Sequence, residues 1–326
     1  MENNKLFQSR LDLLPVQHGA ENLKQEIKKV IVGQDKMIDL FIVAILSDGH
    51  VLVEGVPGIA KTLTAKLVAK TMSVGFSRIQ FTPDLMPSDV LGTTIFNNNK
   101  AEFEFNPGPV FSNIILIDEI NRAPAKTQSA LFEVMEERQV TIDGKTYHMQ
   151  KPFLVFATQN PIEHEGTYRL PEAQLDRFLF KIRITYPSPG EESIILANSN
   201  QRKDADETAL VKAVLSAEDI VHYQKTIHEV HVDENLVKYI AEIVHRTRSH
   251  PSLYLGASPR ASLNIMRSAK AWAALNARDF IIPEDIHFVV YPVLTHRLYL
   301  TPEKELEGAT TDQVIADIIR SVEIPK

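Results

Sequence analysis

Val51-Leu52-Val53-Glu54-Gly55-Val56-Pro57-Gly58-Ile59-Ala60-Lys61-Thr62-Leu63 is the stretch on which the reading of this chain turns. Residues 51–53 are an apolar run that predicts a buried strand. Leu63, Leu67 and Val68 share one face of the helix that follows. Between them lies a loop with two glycines and a proline, ending in Lys-Thr. A glycine-bearing loop lets backbone N–H groups point inward, and the helix N-terminus adds further donors and a favourable dipole. That combination suits phosphate. Gly55, Val56, Pro57, Gly58, Ile59, Ala60, Lys61, Thr62 and Leu63 are therefore expected to hold a nucleoside triphosphate, with Lys61 reaching the β- and γ-phosphates. The Thr62 hydroxyl suits one position around Mg²⁺, an ion that prefers oxygen ligands in octahedral geometry. Ala60 stands where the usual pattern has glycine, and alanine fits there if the residue already has helical φ/ψ.

Outward from this loop, short apolar runs alternate with helical stretches. Residues 78–81, 114–117, 153–157 and 178–184 are further strand candidates. Strands alternating with helices imply parallel crossovers and a three-layer α/β domain. The unbroken run Ile114-Ile115-Leu116-Ile117 suits a strand covered on both faces. Asp143-Gly144, flanked by Gln139-Val140-Thr141-Ile142 and Lys145-Thr146-Tyr147-His148, predicts a two-residue hairpin projecting from that core. Residues 1–20 read as an irregular lead-in, followed by two short amphipathic helices. Tyr186-Pro187-Ser188-Pro189-Gly190 ends the last strand. Everything after it reads as helix, with Ser258-Pro259 as an N-cap and first helical position. The expected domains are thus 1–189, an α/β core, and 190–326, a helical second domain.

The chemistry-bearing residues fall at strand ends. Asp118 and Glu119 close the 114–117 run; beside a phosphate loop, Asp118 suits Mg²⁺ and Glu119 suits a general base for the attacking water. Gln159-Asn160-Pro161 follows another strand, and an amide such as Asn160 can orient that water. Arg177, in Leu175-Asp176-Arg177-Phe178, and Arg260, in Ser258-Pro259-Arg260, are candidates for stabilising phosphoryl charge. A cation in the first turn of a helix opposes the helix dipole, which favours a role for Arg260 in meeting an anion.

The bulk properties narrow the function class. The 326 residues carry no cysteine, a net charge of −7, 44% hydrophobic and 24% charged residues. Disulfides, thiolate catalysis and cysteine-zinc sites are excluded. The acidic balance opposes general nucleic-acid binding, which favours Lys and Arg. No run approaches the ~18 apolar residues of a membrane span. Residues 1–10 lack an apolar h-region, so a cytoplasmic location is expected. The eleven histidines include no HExxH spacing and are expected to be packed or exposed rather than metal ligands.

Taken together, the chain resembles the MoxR family of AAA+ ATPases. The resemblance rests on Gly-Val-Pro-Gly-Ile-Ala-Lys-Thr (55–62), Asp-Glu-Ile-Asn-Arg-Ala (118–123), Ala-Thr-Gln-Asn-Pro (157–161), Leu-Pro-Glu-Ala-Gln-Leu-Asp-Arg-Phe (170–178) and Gly-Ala-Ser-Pro-Arg-Ala (256–261). Similar proteins also carry alanine before the loop lysine. The resemblance implies a parallel five-stranded αβα core followed by an all-α lid. It implies ATP and Mg²⁺ as ligands and a homo-oligomeric, hexameric ring. It assigns Lys61 and Thr62 to Walker A, Asp118 and Glu119 to Walker B, Asn160 to sensor 1 and Arg177 to an arginine finger acting on the neighbouring subunit. Arg169 is an alternative finger. Arg260 corresponds to sensor 2, in a lid closing over the same subunit's nucleotide. Val32-Gly33-Gln34 corresponds to the segment lining the adenine pocket. Residues 91–109 and the Asp143-Gly144 hairpin correspond to a helix-2 insert and a pre-sensor insertion, both candidates for client contact at a ring pore. Chaperone-like remodelling, assembly or cofactor insertion is the implied activity, with client or von Willebrand A domain partners and no specific nucleic acid. A nucleic-acid motor and a low-turnover nucleotide-gated assembly module are the competing readings; the acidic charge opposes the first and the intact Glu119 the second.

Overall fold

The computed structural model describes residues 11–55, 61–160, 168–202 and 206–325. The chain opens with α1 (Leu14–Lys28) and α2 (Asp35–Leu46). The expected irregular lead-in is thus too long: a helix begins at Leu14, with Pro15 in its first turn. Leu13, Val16, Ala20, Leu23 and Ile27 form its buried stripe.

The core then runs β1 (Val51–Glu54), α3 (Lys61–Thr71), β2 (Phe76–Gln80), α4 (Pro87–Leu91), and the paired strands β3 (Gly92–Asn97) and β4 (Glu102–Pro107). It continues through β5 (Ile114–Asp118), α5 (Ala125–Glu137), the hairpin β6 (Gln139–Ile142) and β7 (Lys145–His148), β8 (Leu154–Gln159), α6 (Glu172–Leu175) and β9 (Phe180–Arg183). The sheet order is β2-β5-β8-β1-β9, all parallel. Strand period decides which side chain enters which layer. Val51, Val53, Ile114, Leu116, Leu154, Phe156, Phe180 and Ile182 pack on one face with α1, α2 and α3. Leu52, Ile115, Ile117, Val155 and Ala157 pack on the other with Leu131 and Phe132 of α5. Both faces are covered, which is why β5 and β8 are apolar without alternation.

Two hairpins leave this core. β6 and β7 pair as expected, with Asp143 (φ 50°) and Gly144 (φ 75°) both left-handed, as a tight two-residue turn demands. β3 and β4 form a second hairpin in the 91–109 stretch.

The remainder comprises α7 (Pro189–Arg202), α8 (Ala217–His228), α9 (Glu234–Ser249), β10 (Leu253–Leu255), α10 (Pro259–Leu275), α11 (Pro283–Leu294), β11 (Tyr299–Leu300), α12 (Pro302–Leu306) and α13 (Thr311–Ser321). It forms a helical lid, with one correction: β10 and β11 pair antiparallel, so the region is not wholly helix. Strands of three and two residues are too short to show a period. The lid shares the core of the first sheet face, where Ile265 and Val289 join Phe156 and Val51. No helix among the described residues is long and apolar enough to cross a membrane.

Candidate nucleotide site at a strand switch point

β1 sits between β8 and β9, while the chain leaves it for β2 at the far edge. Such a switch of direction opens a crevice at the carboxyl ends of the strands, where ligands of α/β sheets bind. Gly55 and Lys61 lie there; Val56, Pro57, Gly58, Ile59 and Ala60 fall outside the described residues. Lys61 Nζ donates to the Gly55 carbonyl at 2.7 Å. Burial pulls the Lys61 ammonium below its ordinary pKa, and the Asp118 and Glu119 carboxylates oppose that shift. Thr62 and Leu63 follow in the first turn of α3, Leu63 partly packed against the core.

Register brings the acidic pair alongside. Gln80 of β2 pairs with Asp118, Ile117 with Ala157, and Val53 with Thr158. Asp118 is buried; its Oδ2 accepts from Arg78 Nε at 2.6 Å and its Oδ1 from Thr158 Oγ1 at 3.2 Å. Glu119 takes a left-handed backbone, φ 57° and ψ 52°, which a side chain with a Cβ adopts at a cost of roughly 1–3 kcal/mol. Its N–H donates to Thr158 Oγ1 at 3.0 Å, so one hydroxyl bridges both acids. Gln80 Nε2 donates to Glu119 Oε2 at 2.9 Å, and Arg122 Nε lies 2.9 Å from the same oxygen. Asn160 follows β8, buried, one residue past the strand. Pro161 lies outside the described residues.

Of Val32-Gly33-Gln34, Gln34 lines one wall of the adjoining cleft. Gly33 and Gln34 are both left-handed, at φ 66° and 58°. The left-handed φ at Gly33 favours glycine, and a Cβ there would also displace the Glu191 carboxylate, 2.1 Å away. Gln34 Nε2 donates to the Thr185 carbonyl at 3.0 Å. The cleft measures about 380 Å³, and Tyr291, Pro292 and Thr295 of the lid form its other wall.

The two arginines lie elsewhere. At the amino end of β1, Arg260 Nη2 donates to Glu136 Oε1 at 2.7 Å, and Arg177 Nε lies 3.8 Å from Glu136 Oε2. Arg177 Nη1 also donates to the Phe132 carbonyl at 2.5 Å. Asp48, Gly49 and His50, which precede β1, line the same cavity of about 300 Å³. The strand between them and Gly55 is four residues long, roughly 13 Å. The expectation that Arg260 closes over its own subunit's phosphate loop is corrected accordingly: it sits with Arg177 at the opposite end of the sheet. Glu136 in the last turn of α5 and Arg260 in the first turn of α10 each oppose their own helix dipole, and their ion pair offsets both. Ser258 and Pro259 take the expected N-cap and first helical positions of α10, but the Ser258 Oγ caps no N–H and donates instead to Asp176 Oδ2 at 2.9 Å. Arg169 is largely exposed and lies 3.9 Å from Glu172.

Buried imidazoles brace this amino end. His50 Nε2 donates to the Met135 carbonyl at 3.1 Å and its Nδ1 accepts from the Val155 N–H at 3.0 Å. Burial, helped by the Arg138 guanidinium, pushes its pKa down to about 3.

Sequence comparisons agree with this geometry. Residues 50–180 match the ATPase family associated with various cellular activities (AAA), and residues 245–318 match the AAA lid domain. Chaperone MoxR1 of Mycobacterium tuberculosis is 46% identical over 318 residues, 95% of this chain and 83% of that protein. The chain belongs to the MoxR family of AAA+ ATPases. Protein MoxR of Methylorubrum extorquens is 32% identical over 324 residues, covering 93% of each chain. The crystal structure of a candidate ATPase from Cytophaga hutchinsonii superposes with a TM-score of 0.90 at 46% identity, covering 96% of this chain and 97% of the other. Membership in the MoxR family accounts for the nucleotide-binding crevice and the helical lid together. Five contributors to the site were not singled out from the sequence: Arg78, Gln80, Arg122, Thr158 and Glu136. Gln80 and Thr158 had a signal, being polar residues at the ends of buried strands; Glu136 is one of many surface acids and had none.

Proposed function

We propose that this protein binds ATP with Mg²⁺ at the carboxyl end of β1 and hydrolyses it only where two copies meet, driving remodelling, assembly or cofactor insertion of partner proteins. The observation that carries the reading is the separation, along β1, of the acidic pair from Arg177 and Arg260. The carboxylates lie at one end and the two candidate phosphoryl-stabilising arginines at the other, too far apart to serve one nucleotide within a chain.

In this reading Lys61 and the 55–60 loop bind the phosphates, and Gln34 with the lid wall receives the base. Glu119 takes the proton of the attacking water and Asn160 orients that water. Arg177 and Arg260 of one copy together meet the γ-phosphate held by the next. Thr62 and Asp118 offer a hydroxyl and a carboxylate, hard oxygen donors that fit Mg²⁺. Among the described residues no three His or acidic side chains group as a metal cage, which suits an ion that arrives with the nucleotide and keeps several waters. Bound there, Mg²⁺ would neutralise charge on the β- and γ-phosphate oxygens.

Remodelling as the use of this energy draws on the relative named a chaperone, and on the β3–β4 hairpin, which exposes Ile95, Phe96 and Phe103. Exposed apolar side chains on a projecting hairpin suit contact with a client or a von Willebrand A domain partner.

Glu119→Gln tests the catalytic reading. ATP should bind as in the parent, while turnover falls by about 10²–10⁴-fold with loss of the base. Turnover within a few-fold of the parent would exclude Glu119 as the base. The same variant, loaded with ATP and used as bait, should retain clients that the parent releases.

A further inference from the structure

Arg297 is a cation that neither nucleotide binding nor hydrolysis has yet employed, and its side chain is only 1% exposed. A guanidinium out of water is costly unless its donors are filled and its charge matched. Here both conditions hold. Nε donates to Asp176 Oδ1 at 2.7 Å. Nη2 donates to the carbonyls of Asp176 at 2.8 Å and Phe178 at 2.5 Å. Nη1 donates to the Leu179 carbonyl at 3.3 Å and to that of Val293. The neighbouring His296 Nε2 donates to the Phe178 carbonyl at 3.1 Å. Ser258 Oγ takes the second carboxylate oxygen of Asp176.

What is gripped is one short turn, Asp176-Arg177-Phe178-Leu179. Three of its four carbonyls and both oxygens of its carboxylate are bonded by lid residues. The exception is Arg177, whose side chain points away to Phe132 and Glu136. Two residues before Arg297, Thr295 lines the base-side cleft; its hydroxyl donates to the Tyr291 carbonyl at 2.6 Å and lies 3.2 Å from Asp312 Oδ1. Asp312 in turn lies 2.9 Å from Arg183 at the end of β9. Three consecutive lid residues therefore touch the cleft of the chain's own nucleotide and the turn carrying its arginine.

We propose that Arg297 is a positioning residue: through its grip on the 176–179 turn, the lid sets the direction in which one copy presents Arg177 to the nucleotide of the next. This rests on the interface reading above. A lysine would keep the charge but lose the planar fork that reaches a carboxylate and several carbonyls at once.

The test separates donor from acceptor. Lys61→Ala chains, which cannot bind ATP, supply the finger; Arg177→Ala chains hold ATP but lack it. ATP turnover of the mixture reports the finger alone. Adding Arg297→Lys to the donor should lower that turnover by at least about tenfold, since displacing a catalytic group by about 1 Å costs up to ~10²-fold. Adding it to the acceptor should change turnover less than about twofold, because the finger of that chain is already absent. Equal turnover with and without Arg297→Lys in the donor would overturn the proposal. So would an equal loss in both placements, which is what a merely structural role gives. Thermal denaturation and sedimentation velocity of each variant show whether it folds and assembles. Should Arg297→Lys fail to fold, Ser258→Ala in the donor removes one lid bond to Asp176 and should lower rescue by about threefold; undiminished rescue there overturns the proposal. No rescue by the Lys61→Ala donor alone would instead remove the interface reading, and the positioning role with it.

Discussion

At its carboxyl end β1 runs out among carboxylates, Asp118 and Glu119, while at its amino end it starts among the guanidinium groups of Arg138, Arg177 and Arg260. The first end is held by bonds between neighbouring strands: Gln80, Asp118 and Thr158 fall in one row across β2, β5 and β8. The second is held by bonds between layers, with Glu136 of α5 joined to Arg260 of the lid and Arg138 to Asp48. One end is therefore fastened within the sheet, and the other is fastened in part to the lid. Under the proposed function, a site assembled from the two ends takes two copies, and the lid of the copy that supplies the arginines bears on it.

The largest change that should break this contrast is Arg177→Ala. Turnover of the pure protein should fall by about 10³-fold, as for arginine fingers in other phosphoryl-transfer sites, with nucleotide affinity kept within about threefold. Steady-state turnover beside titration with a fluorescent ATP analogue checks both. A parallel loss of affinity would place Arg177 in its own chain's nucleotide site.

A smaller effect should follow Thr158→Val at the acidic end. The Glu119 N–H then loses its acceptor and Asp118 loses a donor. About 1–3 kcal/mol of local support is removed, enough to lower turnover by roughly tenfold at unchanged assembly. A Thr158→Val chain should still serve as a finger donor, which sharpens the distinction between the ends.

The smallest effect concerns pH and the amino end. His50 is held neutral, its pKa pushed down from the ordinary value to about 3. The unfolded chain binds the proton first, so stability is fully present above about pH 6.5 and is lost as pH falls towards 3. Below pH 6 each such histidine should remove up to about 1.4 kcal/mol per pH unit. His296, shifted well down by burial and the Arg297 charge, acts in the same direction. Urea unfolding between pH 7 and 5 should show this slope, and His50→Gln should flatten it.

Much of the carboxyl end was legible in the sequence, because its chemistry sits where unbroken apolar runs stop. Ile114-Ile115-Leu116-Ile117 announces a doubly covered strand, and whatever follows it, here Asp118 and Glu119, lands in the crevice. Asp143-Gly144 likewise fixed its own hairpin through the positive φ its turn requires. The amino end was far less legible. Arg177 and Arg260 were recognisable as candidates; Arg177, just before β9 of an all-parallel sheet, falls at the amino end by chain direction, but where Arg260 lands depends on how the lid docks. No local pattern encodes that contact between residues more than 80 positions apart. Ser258 shows the limit well: its position before Pro259 matches an N-cap, yet a carboxylate 82 residues earlier captures its hydroxyl. Arg297 gave no signal at all, lying in the short turn between α11 and β11 with no motif around it.

Mixing chains tests the division of the site most directly. Arg177→Ala and Lys61→Ala proteins, each purified separately and each nearly without turnover, would be combined in varying proportion at fixed total concentration. The account predicts that ATP hydrolysis reappears on mixing and is greatest near equal proportions, where intact loops most often face intact arginines. Mixtures as inactive as their components at every proportion would contradict it.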